Sequence, residues 1–233
     1  MAQPCDSDVV HVERIRIDGV AIRGDLAIPV GAVGMVVLVN GSGRGRRDAG
    51  NREIAARLRG GGYGTLVADL LTMSEQAAEA AGDGGADFEL LVSRLAITTD
   101  WIAAHVGARA LPLGFVGRSV GGAVALAVAA RQPRSIRAVV ACDAHLDAVN
   151  SSLGDVSAPT LLIVAGENIE LVESNRHCLD RLTSVRGLEI VSATASVLTT
   201  PEARERVAHL TAEWFGRHLV FRSGDGASAP SAW

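Results

Sequence analysis

The sequence predicts an α/β fold: a mostly parallel, twisted sheet with an antiparallel hairpin at its N-terminal end and helices on both faces. Three observations predict this fold. Short and wholly apolar segments recur along the chain, as in strands that are buried on both faces. Segments with helical periodicity lie between these strands, and two segments of alternating apolar and polar residues precede them all.

The two alternating segments form the predicted hairpin. Residues 9–18 and 20–28 each alternate apolar and polar side chains, and Asp18-Gly19 between them is typical of a tight turn. We therefore expect two antiparallel strands at an edge of the sheet.

The remaining strands are short apolar segments. Six of them are predicted, at residues 35–39, 65–68, 113–116, 136–141, 161–164 and 188–191. Segments with helical periodicity lie between and after these strands. The segment at residues 120–130 consists of small apolar residues, so we expect a buried helix there. Residues 73–86 are rich in Ala, Gly and acids, which predicts a mobile surface loop or a frayed helix.

Length and composition suit one folded domain. The chain has 233 residues, of which 48% are hydrophobic, enough for a sizeable core. No internal repeat or linker interrupts the pattern, so we predict a single domain over residues 1–221. The Gly/Ser/Ala/Pro composition of residues 222–233 predicts a disordered tail.

Charge and composition exclude several function classes. The formal net charge is -4, which argues against a broad surface for nucleic acid or anionic membranes. All 22 basic residues are arginine, so no lysine Schiff base, P-loop lysine or kinase-type lysine is possible. The three cysteines form no CxxC pair, and residues 1–8 carry acids without an apolar stretch. We therefore expect a cytoplasmic protein without a signal peptide.

The sharpest chemical signal is the sequence Gly-Arg-Ser-Val-Gly at residues 117–121. This is the G-x-S-x-G nucleophile elbow, placed between a predicted strand and a predicted helix as the motif requires. Glycines are needed there because the turn is too tight for other side chains beside the serine. The motif predicts Ser119 as the catalytic nucleophile and the backbone N–H of Val120 as a donor to an oxyanion.

A second signal is the sequence Asn-Gly-Ser-Gly at residues 40–43, directly after a predicted buried strand. In such folds this loop donates a backbone N–H, here that of Ser42, to complete the oxyanion hole. The alternative is a dinucleotide fingerprint, but its third glycine would fall at Arg46. No set of metal ligands stands in pattern either, so we expect neither an organic cofactor nor a metal.

With these motifs, residues 36–219 resemble the α/β-hydrolases of dienelactone hydrolase type. The resemblance is carried by the stretches at residues 40–43, 69–72, 117–121, 158–164 and 212–215. It implies an α/β-hydrolase fold without a large cap domain and Ser119 as nucleophile. It also implies small ester, lactone or acyl substrates.

Three positions depart from the pattern of that family. Asn168 stands where family members carry the triad aspartate, and Ser196 takes the place of the general-base histidine. Asn40 replaces the histidine of the oxyanion loop. A serine hydroxyl is protonated at neutral pH, so its attack on an ester requires an adjacent base with an orienting partner. We therefore predict a degenerate catalytic triad beside an intact elbow.

Other side chains are candidates for the missing base and for substrate contacts. His145, beyond the strand at residues 136–141, is the first candidate for a relocated base, and Glu75 is the second. The remaining five histidines fall on predicted helices or on the hairpin, and we expect structural roles for them. Arg118 either faces a substrate anion or points to solvent. Asn40, Glu75 and Arg118 are the candidates for the substrate pocket.

The sequence is compatible with three functions. The first is a non-hydrolytic enzyme that polarises a carbonyl group and catalyses an elimination, cyclisation or isomerisation. The second is a serine esterase or lactonase with His145 as its base, and the third is a non-catalytic protein that binds a ligand or partner. In each case we expect a small carbonyl, ester or lactone compound as ligand, and neither nucleic acid nor a membrane as partner.

Overall fold

The structure, a computed structural model, describes residues 11–17, 20–41, 45–82, 86–105, 107–108, 110–194 and 196–219. The strands are β1 (His11–Ile17), β2 (Val20–Ala27), β3 (Gly34–Asn40), β4 (Tyr63–Asp69), β5 (Leu113–Arg118), β6 (Ile136–Cys142), β7 (Thr160–Ala165) and β8 (Arg186–Val191). The helices are α1 (Ala49–Gly60), α2 (Met73–Ala81), α3 (Phe88–Ala104), α4 (Val120–Arg131), α5 (Ile169–Arg181) and α6 (Pro201–His218). Two 3₁₀ helices span Gly45–Arg47 and Asp147–Asp155.

All eight strands belong to one sheet with the order β1-β2-β4-β3-β5-β6-β7-β8. The predicted hairpin is confirmed, because β1 and β2 pair antiparallel with Ile15 opposite Ile22. Strand β2 also pairs antiparallel with β4, and every other pairing in the sheet is parallel. The α/β fold class predicted from the sequence is therefore confirmed.

The central strands of the sheet are buried on both faces, as β3 illustrates. Val36 and Leu38 pack into the apolar cluster formed with α1 and α6, whereas Val37 and Val39 pack into the cluster formed with α3 and α4. Successive side chains of a strand point to opposite faces, so a strand between two helical layers needs an unbroken apolar run.

The carboxyl ends of the parallel strands bring polar residues to one edge of the sheet. Asn40 at the end of β3 is in register with Asp69 of β4 and with Arg118 of β5. Arg118 is in turn in register with Cys142 of β6. Ligands of open α/β sheets bind at this edge, and the elbow motif lies there.

The sequence predicts a loop or a frayed helix at residues 73–86, and residues 73–81 form helix α2 in the structure. This helix is capped: the Thr72 hydroxyl and the Glu75 carboxylate form a reciprocal capping box. Gly82 ends it in the left-handed region at φ 84°. Both halves of the box are local, so they order this helix although it has no buried residue.

Two further expectations concern the rest of the chain. The predicted tail at residues 222–233 lies outside the described residues. Among the helices in the described ranges, none has the length and apolar character that spanning a membrane requires.

Candidate active site

Ser119 lies at a sharp turn between β5 and α4, as the elbow motif predicts. Its backbone has φ 50° and ψ -124°, a region that residues other than glycine rarely adopt. The Ser119 amide donates a hydrogen bond to the Cys142 carbonyl at 2.9 Å, and the Ser119 carbonyl accepts one from the Gly122 amide at 3.0 Å. These two bonds hold the strained turn against β6 and α4.

The glycines on either side of Ser119 are required by close backbone contacts. A β-carbon at Gly117 would lie 2.3 Å from the carbonyl oxygen of Gly121. A β-carbon at Gly121 would lie 2.5 Å from the carbonyl oxygen of Val39. Either position would clash with backbone atoms, so α4 can begin this close to the sheet only with glycine at both places.

A cavity of about 320 Å³ opens beside Ser119. Its walls come from the ends of β3 and β5, from α2 and from the start of α4. They consist of Asn40, Gly41, Glu79 and residues 118–121. The cavity is of a size for a small organic molecule.

The first residue of α4 presents a backbone donor to this cavity. Val120 begins the helix, so its amide has no acceptor within the helix. Gly41 lies directly beside it, because a β-carbon at Gly41 would be 3.3 Å from the β-carbon of Val120. The positive end of the helix dipole thus faces the cavity. Ser42, the predicted second donor, lies outside the described residues.

Asn40 is buried at the wall of the cavity. Its Oδ1 accepts a hydrogen bond from the side-chain amide of Asn51 at 2.8 Å. Gly45 makes room for this side chain, since a β-carbon there would lie 2.0 Å from Cγ of Asn40. Among the described residues, Nδ2 of Asn40 has no hydrogen-bond acceptor.

Arg118 lines the same cavity and reaches toward α1. Its Nη1 lies 3.4 Å from Oδ2 of Asp48, while Oδ1 of Asp48 caps α1 by accepting a hydrogen bond from the Asn51 amide. Both charged side chains are about one-third exposed, at 35% and 28%. The guanidinium is therefore paired with Asp48 beside the cavity and does not extend freely into solvent.

Comparison with known proteins agrees with the fold. The sequence model of the dienelactone hydrolase family matches residues 22–190. The chain belongs to the dienelactone hydrolase family. A solved structure of a dienelactone hydrolase from Anabaena variabilis superposes with a TM-score of 0.86 and is 35% identical, covering 91% of this chain and 98% of that one. The fold and the family predicted from the sequence are thus confirmed.

Other relatives of this dienelactone hydrolase family member differ in length or sequence. Two proteins of Mycobacterium tuberculosis, whose names propose a phosphoribosyl transferase, are 39% identical over 201 residues. The match covers 86% of this chain and 44% of each relative, so the chain spans less than half of their length. Est1E from Butyrivibrio proteoclasticus, at 12% identity and a TM-score of 0.75 over 88% of this chain and 98% of its own, shares the fold.

Asn168, which the sequence predicts at the position of the family's acid, caps a helix. It is the residue before α5, and its side-chain oxygen accepts a hydrogen bond from the Leu171 amide at 3.1 Å. It lines a second cavity of about 170 Å³, not the cavity of Ser119. A neutral amide serves this cap as well as a carboxylate would.

His145, the candidate for a relocated base, lies in that second cavity with Asn168. Among the described residues, the two cavities share no lining residue, and His145 is exposed. The structure therefore brings His145 together with Asn168 and places it in a different cavity from Ser119.

Ser196, which the sequence predicts at the position of the family's histidine, belongs to the turn after β8. Its hydroxyl accepts a long hydrogen bond of 3.4 Å from the Leu198 amide, and its carbonyl accepts one from the Thr199 hydroxyl at 2.8 Å. The next residue, Val197, is fully buried. Ser196 thus shapes this turn, and it does not line the cavity of Ser119.

Glu75, the second candidate base, is engaged elsewhere. Its carboxylate forms two hydrogen bonds with the buried guanidinium of Arg94, at 2.6 and 2.8 Å, and accepts another from the Thr72 amide. The Arg94 hydrogen bonds lower the pKa of Glu75 from its ordinary value to about 2. A carboxylate of this kind is a poor proton acceptor, and Glu75 does not line the cavity. The structure therefore does not place Glu75 in the cavity, either as a base or as a pocket residue.

Two carboxylates at this edge of the sheet were not among the site residues predicted from the sequence. Glu79, one helical turn after Glu75, lines the cavity of Ser119. Asp143, directly after β6, is buried and has a positive φ of 44°. A capping-box pattern starting at Thr72 indicates the helix that carries Glu79, but no sequence pattern indicates the contacts of Asp143.

All six histidines lie within the described residues, and none lines the cavity of Ser119. His105 packs against Trp101 and His218 against Trp214, while His209 bonds Arg57. His11 and His177 are exposed. The described residues contain no group of three or more His, Cys, Asp or Glu side chains that could hold a metal ion.

Proposed function

We propose that this member of the dienelactone hydrolase family binds a small carbonyl, ester or lactone compound at Ser119 and acts on it without Ser-His-Asp hydrolysis. One observation carries this proposal: among the described residues, the Ser119 hydroxyl has no hydrogen-bond partner, and its cavity has no histidine. In a comparable Ser-His-Asp enzyme, loss of the serine or the histidine lowers turnover on the order of a million-fold. Asn168 and Ser196 thus represent a degenerate triad.

The parts of the site that bind a carbonyl oxygen are retained. The Val120 amide at the start of α4 and the Ser119 hydroxyl both border the cavity. A positioned donor of this kind is worth about 100-fold to 1000-fold in turnover, because it stabilises the charge that develops on the oxygen. Donors alone support reactions that polarise a carbonyl without acyl transfer to serine, namely elimination, cyclisation or isomerisation.

The strained backbone of Ser119 supports a site in use. Holding a residue in such a backbone conformation destabilises the fold by about 1–3 kcal/mol. The strain persists where the surrounding contacts enforce the conformation, and it occurs often at functional sites. Ser119 is partly exposed, so burial of its side chain offers no compensation for this cost. The strain therefore favours a bound ligand over a purely structural turn.

The function proposed for this chain does not include the transferase activity in the names of the two mycobacterial relatives. The matched residues cover 44% of each relative, and in this chain they form the sheet of an α/β-hydrolase. We therefore do not include a transferase activity in the proposed function.

The proposal is tested by binding and by ester hydrolysis measured on the same chain. We expect α-angelica lactone, a small unsaturated lactone, to bind the protein in saturation-transfer NMR. Binding should weaken in Ser119→Ala and remain unchanged in Ser135→Ala, because Ser135 lines a different cavity. We also expect p-nitrophenyl acetate to be hydrolysed at the same rate by the wild type and by Ser119→Ala.

Two results would overturn the proposal. A stoichiometric burst of p-nitrophenol that disappears in Ser119→Ala would identify a working serine esterase. If the burst also disappeared in His145→Ala, His145 would be its base. Absence of lactone binding would remove the carbonyl site itself.

A further inference from the structure

We propose that Glu79 is the general base of this site and removes a proton from the carbon next to the bound carbonyl group. This inference rests on the proposed function, since the step requires a carbonyl compound held at Ser119. It assigns to the site a specific class of reaction, proton transfer at the α-carbon of a lactone or ketone, with isomerisation of a double bond as its outcome.

Glu79 is the one carboxylate among the described residues that line the cavity. The other polar side chains there are those of Asn40, Arg118 and Ser119. An amide is not a base in water, a guanidinium stays protonated, and a serine hydroxyl has no lone pair basic enough near neutral pH. If a described side chain in this cavity accepts a proton from the substrate, it is therefore Glu79.

The position of α2 explains how Glu79 reaches the cavity. The helix has no buried residue, so contacts near its N-terminus hold it in place. Arg94 of α3 is buried, donates to the Leu70 carbonyl at 2.8 Å and clamps the Glu75 carboxylate with two hydrogen bonds. Gln76 adds a hydrogen bond from its side chain to the Leu71 carbonyl at 2.9 Å.

Helical geometry then places the second glutamate. Residues four apart lie on the same side of an α-helix, so Glu79 follows Glu75 one turn further along α2. Glu75 pairs with Arg94, and Glu79 borders the cavity. Glu75 and Arg94 are thus positioning residues that hold α2 beside the cavity, and Glu79 is the catalytic residue.

The proposed step balances without any co-reactant. The C–H bond at the α-carbon breaks, its proton binds a carboxylate oxygen of Glu79, and its electron pair moves onto the carbonyl oxygen to give an enolate. The Val120 N–H and the Ser119 O–H donate hydrogen bonds to that oxygen. Return of the proton to the same carbon regenerates the substrate. Return to the γ-carbon of a β,γ-unsaturated lactone gives the conjugated isomer.

The experiment follows α-angelica lactone with the full chain in D₂O by ¹H NMR. We expect the wild type to incorporate deuterium at the α-carbon and to form the conjugated isomer faster than buffer alone. Glu79→Gln should lower both rates by about 100-fold or more, because a positioned general base contributes about 100-fold to 10,000-fold. Lactone binding in saturation-transfer NMR should be retained. Glu205→Gln, the same change at an exposed site on α6, should match the wild type.

The pH profile separates catalysis from positioning. Glu79 and Arg118 are the charged side chains among the described lining residues, and Glu79 is the one that a general-base step protonates. We therefore expect the pH profile of the wild-type rate to differ from that of Glu79→Gln. Glu75→Gln should lower the rate but keep the wild-type pH profile, because the base is still present on a helix that Arg94 no longer holds.

Each contrary result has a distinct meaning. Exchange in Glu79→Gln at the wild-type rate would overturn the role of Glu79, and so would a wild type that binds the lactone without exchanging it. In both cases the carbonyl site of the proposed function would stand. A wild type that does not bind the lactone would overturn both proposals.

Discussion

The carboxylate of Asp143 accepts a hydrogen bond from the backbone amide of Val197, 2.8 Å away, and so ties the turn after β8 to the end of β6. Its other oxygen accepts a hydrogen bond from the Ala165 amide at 3.0 Å, at the end of β7. One buried side chain thus joins three neighbouring strand ends. Asn168 and Ser196, predicted at the positions of the family's acid and histidine, follow two of these strand ends.

We predict that Asp143→Asn destabilises the protein. An amide keeps one acceptor oxygen but turns an N–H₂ group toward the second backbone donor, so one buried N–H loses its acceptor. We expect the free energy of unfolding to fall by about 1–3 kcal/mol, measured by urea denaturation. Hydrogen exchange at the Val197 amide should accelerate. Asp147→Asn, an exposed neighbour, is the control, and equal stability of both variants would contradict the role of Asp143.

Ser119→Gly should stabilise the protein while it removes the hydroxyl. Glycine adopts φ 50° without the strain that a β-carbon causes, so we expect a gain of about 1 kcal/mol in the free energy of unfolding. Ser119→Ala is the matched control, because it removes the same hydroxyl but keeps the β-carbon. A Ser119→Gly variant no more stable than Ser119→Ala in urea denaturation would show that the turn is unstrained.

The Glu75–Arg94 pair should make stability depend on pH in acid. The pKa of Glu75 is about 2 in the folded chain against an ordinary value of 4.5, so the carboxylate contributes fully above pH 4.5. The contribution is lost as pH falls from there toward about 2. We therefore expect the stability difference between wild type and Glu75→Gln to shrink across this range in acid titrations of urea denaturation.

At neutral pH, Glu75→Gln should cost about 1–2 kcal/mol, since hydrogen bonds to charged groups contribute strongly and partial exposure of Glu75 reduces the effect. Glu173→Gln on α5 removes an exposed partner of Arg176 and serves as the control. A difference between wild type and Glu75→Gln that did not change with pH would contradict the assignment of this ion pair.

His145 should have no influence on the reactivity of Ser119. The two side chains line different cavities, so we expect His145→Ala to leave the rate of fluorophosphonate labelling at Ser119 unchanged. His177→Ala, which removes another exposed histidine, is the matched control. A rate that falls in His145→Ala alone would reveal a conformation in which this imidazole contacts Ser119.

Much of the fold follows from local sequence patterns. The facing pair Ile15 and Ile22 reflects the alternation of the hairpin strands, and unbroken apolar runs such as that of β3 mark the strands between helical layers. The elbow was predictable because its glycines are required by backbone contacts of the turn itself. These features depend on residues adjacent in the sequence or on the burial of one face of a strand or helix.

The residues that sequence reasoning missed depend on contacts between distant segments. Asp143 binds amides 22 and 54 residues away, and no local pattern specifies such partners. The capping box at Thr72 was present in the sequence, but the Ala- and Gly-rich composition outweighed it. Arg94, which holds the resulting helix in place, lies on the next helix. His145 follows a strand that borders the site, yet the direction of its loop leads it into another cavity.

The pH dependence of Ser119 labelling by a fluorophosphonate decides whether an imidazole activates this serine. We expect slow labelling that rises with hydroxide concentration and shows no midpoint near pH 7, because no imidazole removes the proton of the Ser119 hydroxyl. Rapid labelling with a midpoint near pH 7, abolished by substitution of one histidine, would contradict this expectation.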